Sequence, residues 1–320
     1  MNTMHIQRRL LVSAVLGALA VPVTGLAQDA YDYTSVTLPG TLGSQAFGIN
    51  QRGVLAGNAF AEEGNIGFTY DIKKDKFELV DDVAGFDVTV ISAISNRGDL
   101  VGSVVDETTG IQSGLMLDKR GNAHLFDHPD AVSGTSARAI NSRGTITGIR
   151  DSADPMQILA GFIYDSRSET FTDIVPGALT IPQGINARGD VVGSVIFFSE
   201  NDPCNPGTPA GGIVRYAWYR SAEGDIQYFT VNGGFSSARG LTDSGTIAGF
   251  TADPDTGVTQ GYVTEIPAGQ CQDISVGPEG RVAFPGAVRT FAQSITNSGT
   301  VIGQYVDADG IQQTFVATPD

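Results

Sequence analysis

The chain has 320 residues with 19 basic and 35 acidic side chains, a formal net charge of −16 at pH 7. That sign argues against nucleic acid or anionic lipid held by bulk charge. Beyond the N-terminus no run approaches the 18 apolar residues of a membrane span, and with only two Cys the chain is no dense disulfide scaffold.

Residues 1–27 read as a cleavable signal peptide. Arg8 and Arg9 precede the apolar stretch Leu10–Ala20, and Gly25-Leu-Ala27 supplies small residues for cleavage. This predicts export to the periplasm or beyond the cell, with one domain over residues 28–320. Loss of residues 1–27 removes two Arg and no acid, so the balance becomes 17 − 35 = −18. Such a charge suits a well-solvated monomer.

Residues 31–40 read as a strand, and behind it one phrase recurs six times. The first copy is Gly48-Ile-Asn-Gln-Arg-Gly-Val-Leu-Ala-Gly57 and the third Ala139-Ile-Asn-Ser-Arg-Gly-Thr-Ile-Thr-Gly148. Its first turn Gly stands at 53, 98, 144, 189, 245 and 299, so the steps are 45, 46, 45, 56 and 54 residues. Repeats begin near residues 46, 91, 137, 182, 238 and 292. In the third, residues 136–140, 145–150, 160–164 and 170–175 read as strands separated by turn residues. A period near 45 with four short strands is the spacing of a propeller blade.

A lone four-stranded sheet cannot bury both faces, and closing a stack of them into a ring shields them. The prediction is all-β: a six-bladed β-propeller with four antiparallel strands per blade. The last repeat ends before a fourth strand. Tyr33-Thr-Ser-Val-Thr-Leu-Pro-Gly40 matches the fourth-strand phrases Asp173-Ile-Val-Pro-Gly177 and Val282-Ala-Phe-Pro-Gly286, so the N-terminal strand would complete the last blade. Where blades converge, small side chains are expected, and Gly48, Ala93, Ala139, Gly184, Gly240 and Ser294 fill that column.

The phrases Pro39-Gly-Thr-Leu-Gly43, Ala139-Ile-Asn-Ser-Arg-Gly-Thr-Ile-Thr-Gly148, Gly161-Phe-Ile-Tyr164 and Val282-Ala-Phe-Pro-Gly-Ala287 resemble the bacterial extracellular HAF-type repeat proteins. The likeness covers essentially all of the mature chain. It implies secretion and a tandem β-repeat, and no particular activity. The chain departs from the family in lacking the His-Ala-Phe phrase and a hydrophobic C-terminal sorting tail.

One position before the small column stand Phe47, Ser92, Arg138, Gln183, Arg239 and Gln293. Large polar groups near an axial channel are costly unless paired, which makes Arg138, Arg239, Gln183 and Gln293 candidate ligand contacts. Bonding to neighbouring strands or channel water is the plainer alternative. The turns gather Arg52, Arg97, Arg143 and Arg188 on one face, as solvated turn residues or a seat for an acidic partner. Trp218, beside Tyr216, could stack on a sugar or fill space between blades.

Asp307-Ala-Asp309-Gly310 begins like a calcium loop, but Thr318 stands where a bidentate Glu belongs. Asp307 and Asp309 are therefore an acidic turn or a weak Ca²⁺ site; no other cofactor is indicated. His124 and His128 lie four residues apart on a strand, too far to share one ion. Cys204 and Cys271 fall in the two long repeats. An oxidising compartment permits their bridge, although the simplest strand count puts the two insertions at opposite ends of their blades.

No nucleophile elbow, zinc-protease helix or phosphate loop is present. The expected function is a secreted, non-enzymatic binding or interaction propeller for an extracellular glycan or protein. The alternative is a polysaccharide-processing lyase or hydrolase with an acid and Arg site at one channel mouth.

Overall fold

The computed structural model describes residues 30–320 except 63, 81, 82, 84, 85, 87, 175 and 176. The signal-peptide reading over residues 1–27 lies outside the described residues. β1 (Tyr31–Val36) precedes the first repeat, which holds β2 (Gly43–Ile49), β3 (Val54–Ala61), β4 (Gly64–Asp71) and β5 (Lys76–Val80). The second holds β6 (Val88–Ile94), β7 (Leu100–Val105), β8 (Gln112–Leu117) and β9 (Ala123–Phe126). The third holds β10 (Thr135–Ile140), β11 (Thr145–Asp151), β12 (Leu159–Asp165) and β13 (Thr170–Ile174). The fourth holds β14 (Leu179–Ile185), β15 (Val191–Phe198), β16 (Ile213–Arg220) and β17 (Ile226–Val231). β18 (Phe235–Leu241), β19 (Thr246–Ala252), β20 (Thr259–Glu265), β21 (Gln272–Ile274) and β22 (Arg281–Val282) follow, then β23 (Arg289–Ile295), β24 (Val301–Val306) and β25 (Gln312–Pro319).

These strands pair into four four-stranded sheets and one nine-stranded sheet. The expectation of six blades is corrected on this point: four blades stand as separate four-stranded sheets. The third and fourth repeats run together, joined by a parallel bridge between Leu159 and Leu179. β21, from the long fifth repeat, pairs in parallel with the outer edge of β17. The repeat phrase reports local hairpins. Whether the edge of one sheet meets a neighbouring connection depends on the path of the intervening chain, which the phrase does not encode.

β1 runs antiparallel to β25, with Ser35 opposite Phe315 and Val36 opposite Thr314. It is the outer strand of the sheet β1-β25-β24-β23. The first repeat then packs on that sheet. Ser44 donates to Thr314 at 2.9 Å, and Gln304 donates to the Ala46 carbonyl at 3.2 Å. Burial follows the same logic. Each hydrophobic cluster straddles consecutive repeats: Ala46, Leu55 and Phe68 with Ile302 and Val316, or Val192, Ala217 and Phe229 with Ala238 and Ile247. Every sheet therefore depends on its neighbours for a core.

The small column is explained by close approach at the axis. A Cβ on Gly48 would lie 2.9 Å from the Ala93 Cα, one on Gly184 2.5 Å from the Arg239 carbonyl oxygen, and one on Gly240 2.8 Å from the Ser294 Cα.

Candidate functional site

The first hairpin of every repeat carries a register shift, a β-bulge. The shifts fall between Ala46 and Gly48, Ile91 and Ala93, Ala137 and Ala139, Pro182 and Gly184, Ala238 and Gly240, and Ala292 and Ser294. The unpaired residues are Phe47, Ser92, Arg138, Gln183, Arg239 and Gln293, the column singled out by sequence. A bulge leaves one residue outside the ladder and re-aims its side chain.

The same bulge accounts for the second Gly of the phrase. A Cβ on Gly57, Gly102, Gly148, Gly193, Gly249 or Gly303 would come within 1.8–2.3 Å of a carbonyl oxygen on the bulged strand. From the other side, these glycines pair with Phe68, Leu115, Phe162, Trp218, Tyr262 and Phe315 on the third strands. All six are fully buried, and Gly148, Gly193, Gly249 and Gly303 each sit between a carbonyl and a large side chain. This corrects the reading of Trp218 as a ligand contact. It occupies the core position that Phe takes in other repeats and has no exposed surface. Tyr216 is likewise engaged, its hydroxyl donating to Asp202 at 3.0 Å.

Phe47, Arg138, Gln183 and Arg239 line one axial cavity of about 90 Å³ that opens on the face of the Asn-x-Arg-Gly turns. At about 30 Å³ per water in the liquid, that is room for a few waters or one small group. Gln293 lies outside this wall. Its amide donates to Gln304 at 3.1 Å, within a chain of glutamines that reaches Gln312 and Gln45. For this position, bonding between strands is what the geometry shows.

Arg138 and Arg239 differ from the other arginines in contact with the fold. The Nε of each is buried without a hydrogen-bond partner. Burial, followed by repulsion from Arg138, pushes the Arg239 guanidinium down to about 10, and burial also lowers Arg138. At about 10, the Arg239 guanidinium remains cationic at neutral pH. Arg239 is held over the Phe250 ring, 4.8 Å from its centroid. Behind it the buried Tyr262 hydroxyl also lacks a partner, and burial holds it well above the usual phenol range.

The cavity mouth is a ring of turn residues. Each Asn of the phrase accepts from its own turn, as Asn50 does from Arg52 and Val54. The next residue reaches its neighbour. The N–H of Gln51 donates to Asn96, that of Ala187 to Asp243, that of Asp243 to Asn297 and that of Asn297 to Gln51, at 2.8–2.9 Å. The ring is broken where Ser142 and Ala187 replace the longer acceptors. Sequence reading missed this column, whose signal is an amide or carboxylate in four of six repeats.

The turn arginines do not form an open ring. Arg97 bonds Asp99 at 3.1 Å, and Arg188 grips Asp190 at 2.6 Å and the Asp243 carbonyl. Arg52, Arg97 and Lys119 also line a groove of about 570 Å³ between the first two repeats. Arg97, Arg52 and Lys119 have no buried orphan atom there.

Asp307 accepts from the N–H groups of Asp309 and Ile311 at 3.0 and 2.8 Å, so it caps its own turn. Among the described residues no three His, Cys, Asp or Glu side chains converge to hold a metal. Cys204 and Cys271 are bridged, with Cα atoms 5.3 Å apart. The fifth-repeat insertion doubles back beside β17, where the Cys271 N–H donates to the Tyr228 carbonyl at 2.8 Å, so the two insertions meet.

His128 marks a second buried cluster. Its Nδ1 accepts from the Asp130 N–H at 3.1 Å, so Nε2 carries the proton and faces Asp173 at 3.2 Å. Arg150 pairs with the same carboxylate at 3.3 Å. Burial lowers the His128 pKa below 6.5; Asp173 and Asp130 oppose the shift and Arg150 adds to it. The unfolded chain then binds the proton more readily. His128 stabilises the fold fully above pH 6.5, and stability falls as pH drops from there through the depressed folded pKa. The urea midpoint is expected to fall between pH 7.5 and 5.5 more steeply in the wild type than in His128→Gln. Equal slopes would remove His128 from the pH response.

No family model matches the chain, and no curated protein does. Solved structures do. The β-propeller domain of the Trilobed protease from Pyrococcus furiosus is 9% identical with a TM-score of 0.50, covering 87% of this chain and 94% of that one. A streptogramin B lyase is 11% identical with a TM-score of 0.47 over 91% and 98% of the two chains. The virginiamycin B lyase from Staphylococcus aureus is 11% identical with a TM-score of 0.45 over 89% and 88%. At such identities the likeness speaks for the fold alone. The class is the all-β propeller.

Proposed function

We propose that the protein is an exported, non-catalytic binding propeller that receives its ligand in the axial cavity from the turn face. The observation that carries this reading is the bulge set, which gathers Phe47, Arg138, Gln183 and Arg239 around one opening. Export is supported by the basic, apolar and small-residue order of residues 1–27 and by the Cys204–Cys271 bridge. The HAF-type resemblance supports the same placement.

The rival, polysaccharide hydrolysis, calls for two carboxyl groups about 5–10 Å apart around a sugar. The described cavity wall offers Asp243, whose oxygens accept from the Ala187 N–H at 2.8 Å and the Asn297 amide at 2.7 Å. A glycan-array screen, run with and without Ca²⁺, is expected to find a ligand whose capture is lost in Ser142→Trp, which plugs the mouth. A panel of polysaccharide hydrolase and lyase substrates is expected to show no turnover. Turnover, or capture indifferent to the plug, would overturn the reading.

A further inference from the structure

We propose that the axial cavity is a receptor for a compact oxyanion, of carboxylate or phosphate size, gripped between Arg138 and Arg239. The inference rests on the axial binding site above and names the chemistry of the group that enters it.

Three observations converge on it. First, the cavity concentrates positive charge that the fold leaves uncompensated. Three other arginines in contact with the fold have carboxylates: Arg150 has Asp173, Arg97 has Asp99 and Arg188 has Asp190, while Arg220 bonds the Ser221 carbonyl and Arg215 lies over the Phe235 ring. Among the described residues Arg138 and Arg239 find neither an ion-pair nor a hydrogen-bond partner, and their Nε atoms are buried. A half-buried guanidinium whose Nε is buried without a partner is costly, and two that repel one another are more so. A sequence selected only for stability would place apolar or amide side chains on these bulges, as it does at Phe47 and Gln183.

Second, Asp243 is the carboxylate in the wall, and it is committed to the turn ring rather than to either Arg. The wall therefore keeps its donors for something from outside. A guanidinium presents a planar fork of N–H groups that fits the paired oxygens of carboxylate or phosphate. Arg239 is pre-set for this by its stacking on Phe250.

Third, the mouth adds neutral donors beside the charged ones. In the turn ring, no hydrogen bond joins the N–H of Asn96 to Ser142, or that of Ser142 to Ala187. Both residues line the cavity. The break in the ring falls in the second and third repeats, and the third carries Arg138. The volume of about 90 Å³ admits one oxyanion head and not a whole sugar ring with its shell, so the rest of the ligand would extend over the turn face.

The test uses the mature protein and three probes: inorganic phosphate, D-galacturonate and neutral D-galactose, read by calorimetry and thermal melting. Phosphate or galacturonate is expected to bind saturably and raise the melting midpoint, and galactose to do neither. Arg138→Gln and Arg239→Gln are each expected to weaken anion binding at least about tenfold. Arg239→Met keeps bulk without charge; it is expected to melt no lower than the wild type in anion-free buffer and to lose the anion response. Tighter phosphate binding would assign the group to a phosphoryl ligand, and tighter galacturonate binding to an acidic sugar; either supports the receptor. No saturable response to either anion, or a response undiminished in both Gln variants, would overturn it. Capture of a neutral glycan blocked by Ser142→Trp but indifferent to both Arg would sink the oxyanion and leave the axial site standing. Catalytic turnover would sink the non-catalytic reading and leave the anion result untouched.

Discussion

Gly303→Ala is expected to cost about 3 kcal/mol or more, at the upper end of overpacking penalties, or to prevent folding. Glycine in a strand is normally the weaker choice, and Ala in its place would ordinarily stabilise by about 0.5–1 kcal/mol. The sign reverses here because of the bulge. A methyl group at this position would lie 1.9 Å from the Phe291 carbonyl oxygen and 2.8 Å from the Phe315 ring. Neither can yield. Phe291 is held in the β23–β24 ladder beside the bulge, and Phe315 is fully buried between β1 and the neighbouring sheet. Gly310→Ala is the control. Gly310 has φ +81° and nothing within 4 Å, so only the left-handed backbone is strained, at about 1–2 kcal/mol. Urea midpoints of the two variants measure the difference. Equal losses would mean that the bulge carbonyl is not what excludes a side chain at Gly303.

Breaking the Cys204–Cys271 bridge is the second large effect. The two residues lie 67 apart in sequence, and closing a loop of that length removes about 4 kcal/mol of chain entropy from the unfolded state. The bridge also anchors β21, which has only three residues paired to β17. Without it, β21 retains the Cys271-to-Tyr228 backbone bond and the Gln270 side chain accepting from the Tyr228 N–H at 2.8 Å. Cys204→Ser with Cys271→Ser is therefore expected to lose up to about 4 kcal/mol, with early proteolysis in the segment 266–280. Reductant on the wild type is expected to reproduce both changes. A melting midpoint unmoved by reduction would show that β21 and its loop are held without the cross-link.

Much of the candidate site was legible before any coordinates. The column Phe47, Ser92, Arg138, Gln183, Arg239 and Gln293 was recognisable as axial because it sits one step before a run of small residues. Why those residues leave the ladder was not legible. The bulge follows from the register of β-strand pairs, and its only trace in sequence is the second Gly, which also reads as an ordinary turn or packing glycine. For Trp218 the sequence left sugar stacking and inter-blade filling both open for a related reason: in sequence its nearest features are a polar insertion and Tyr216, whereas in the sheet its partner is Gly193 and it fills the core. Gln293 and Arg138 look alike in the column, yet Gln293 finds Gln304 across its own hairpin and Arg138 finds nothing. Partners of this kind are set by strand register and by which side chains the bulge turns toward one another, neither of which the spacing of the phrase encodes.

What the sequence determined by itself is the local grammar: short strands, turns closed by Asn and Gly, and faces too apolar to stand alone, hence an all-β ring. That much is local because hairpin register and turn geometry depend on residues a few positions apart. The tertiary structure alone decided that two repeats merge into a nine-stranded sheet, that β21 crosses to a neighbour so that the cysteines meet, and that two guanidiniums face one cavity unpaired. Those outcomes depend on which edges and side chains are brought together when the ring closes. Contacts between residues so distant in the chain leave no periodic mark in it.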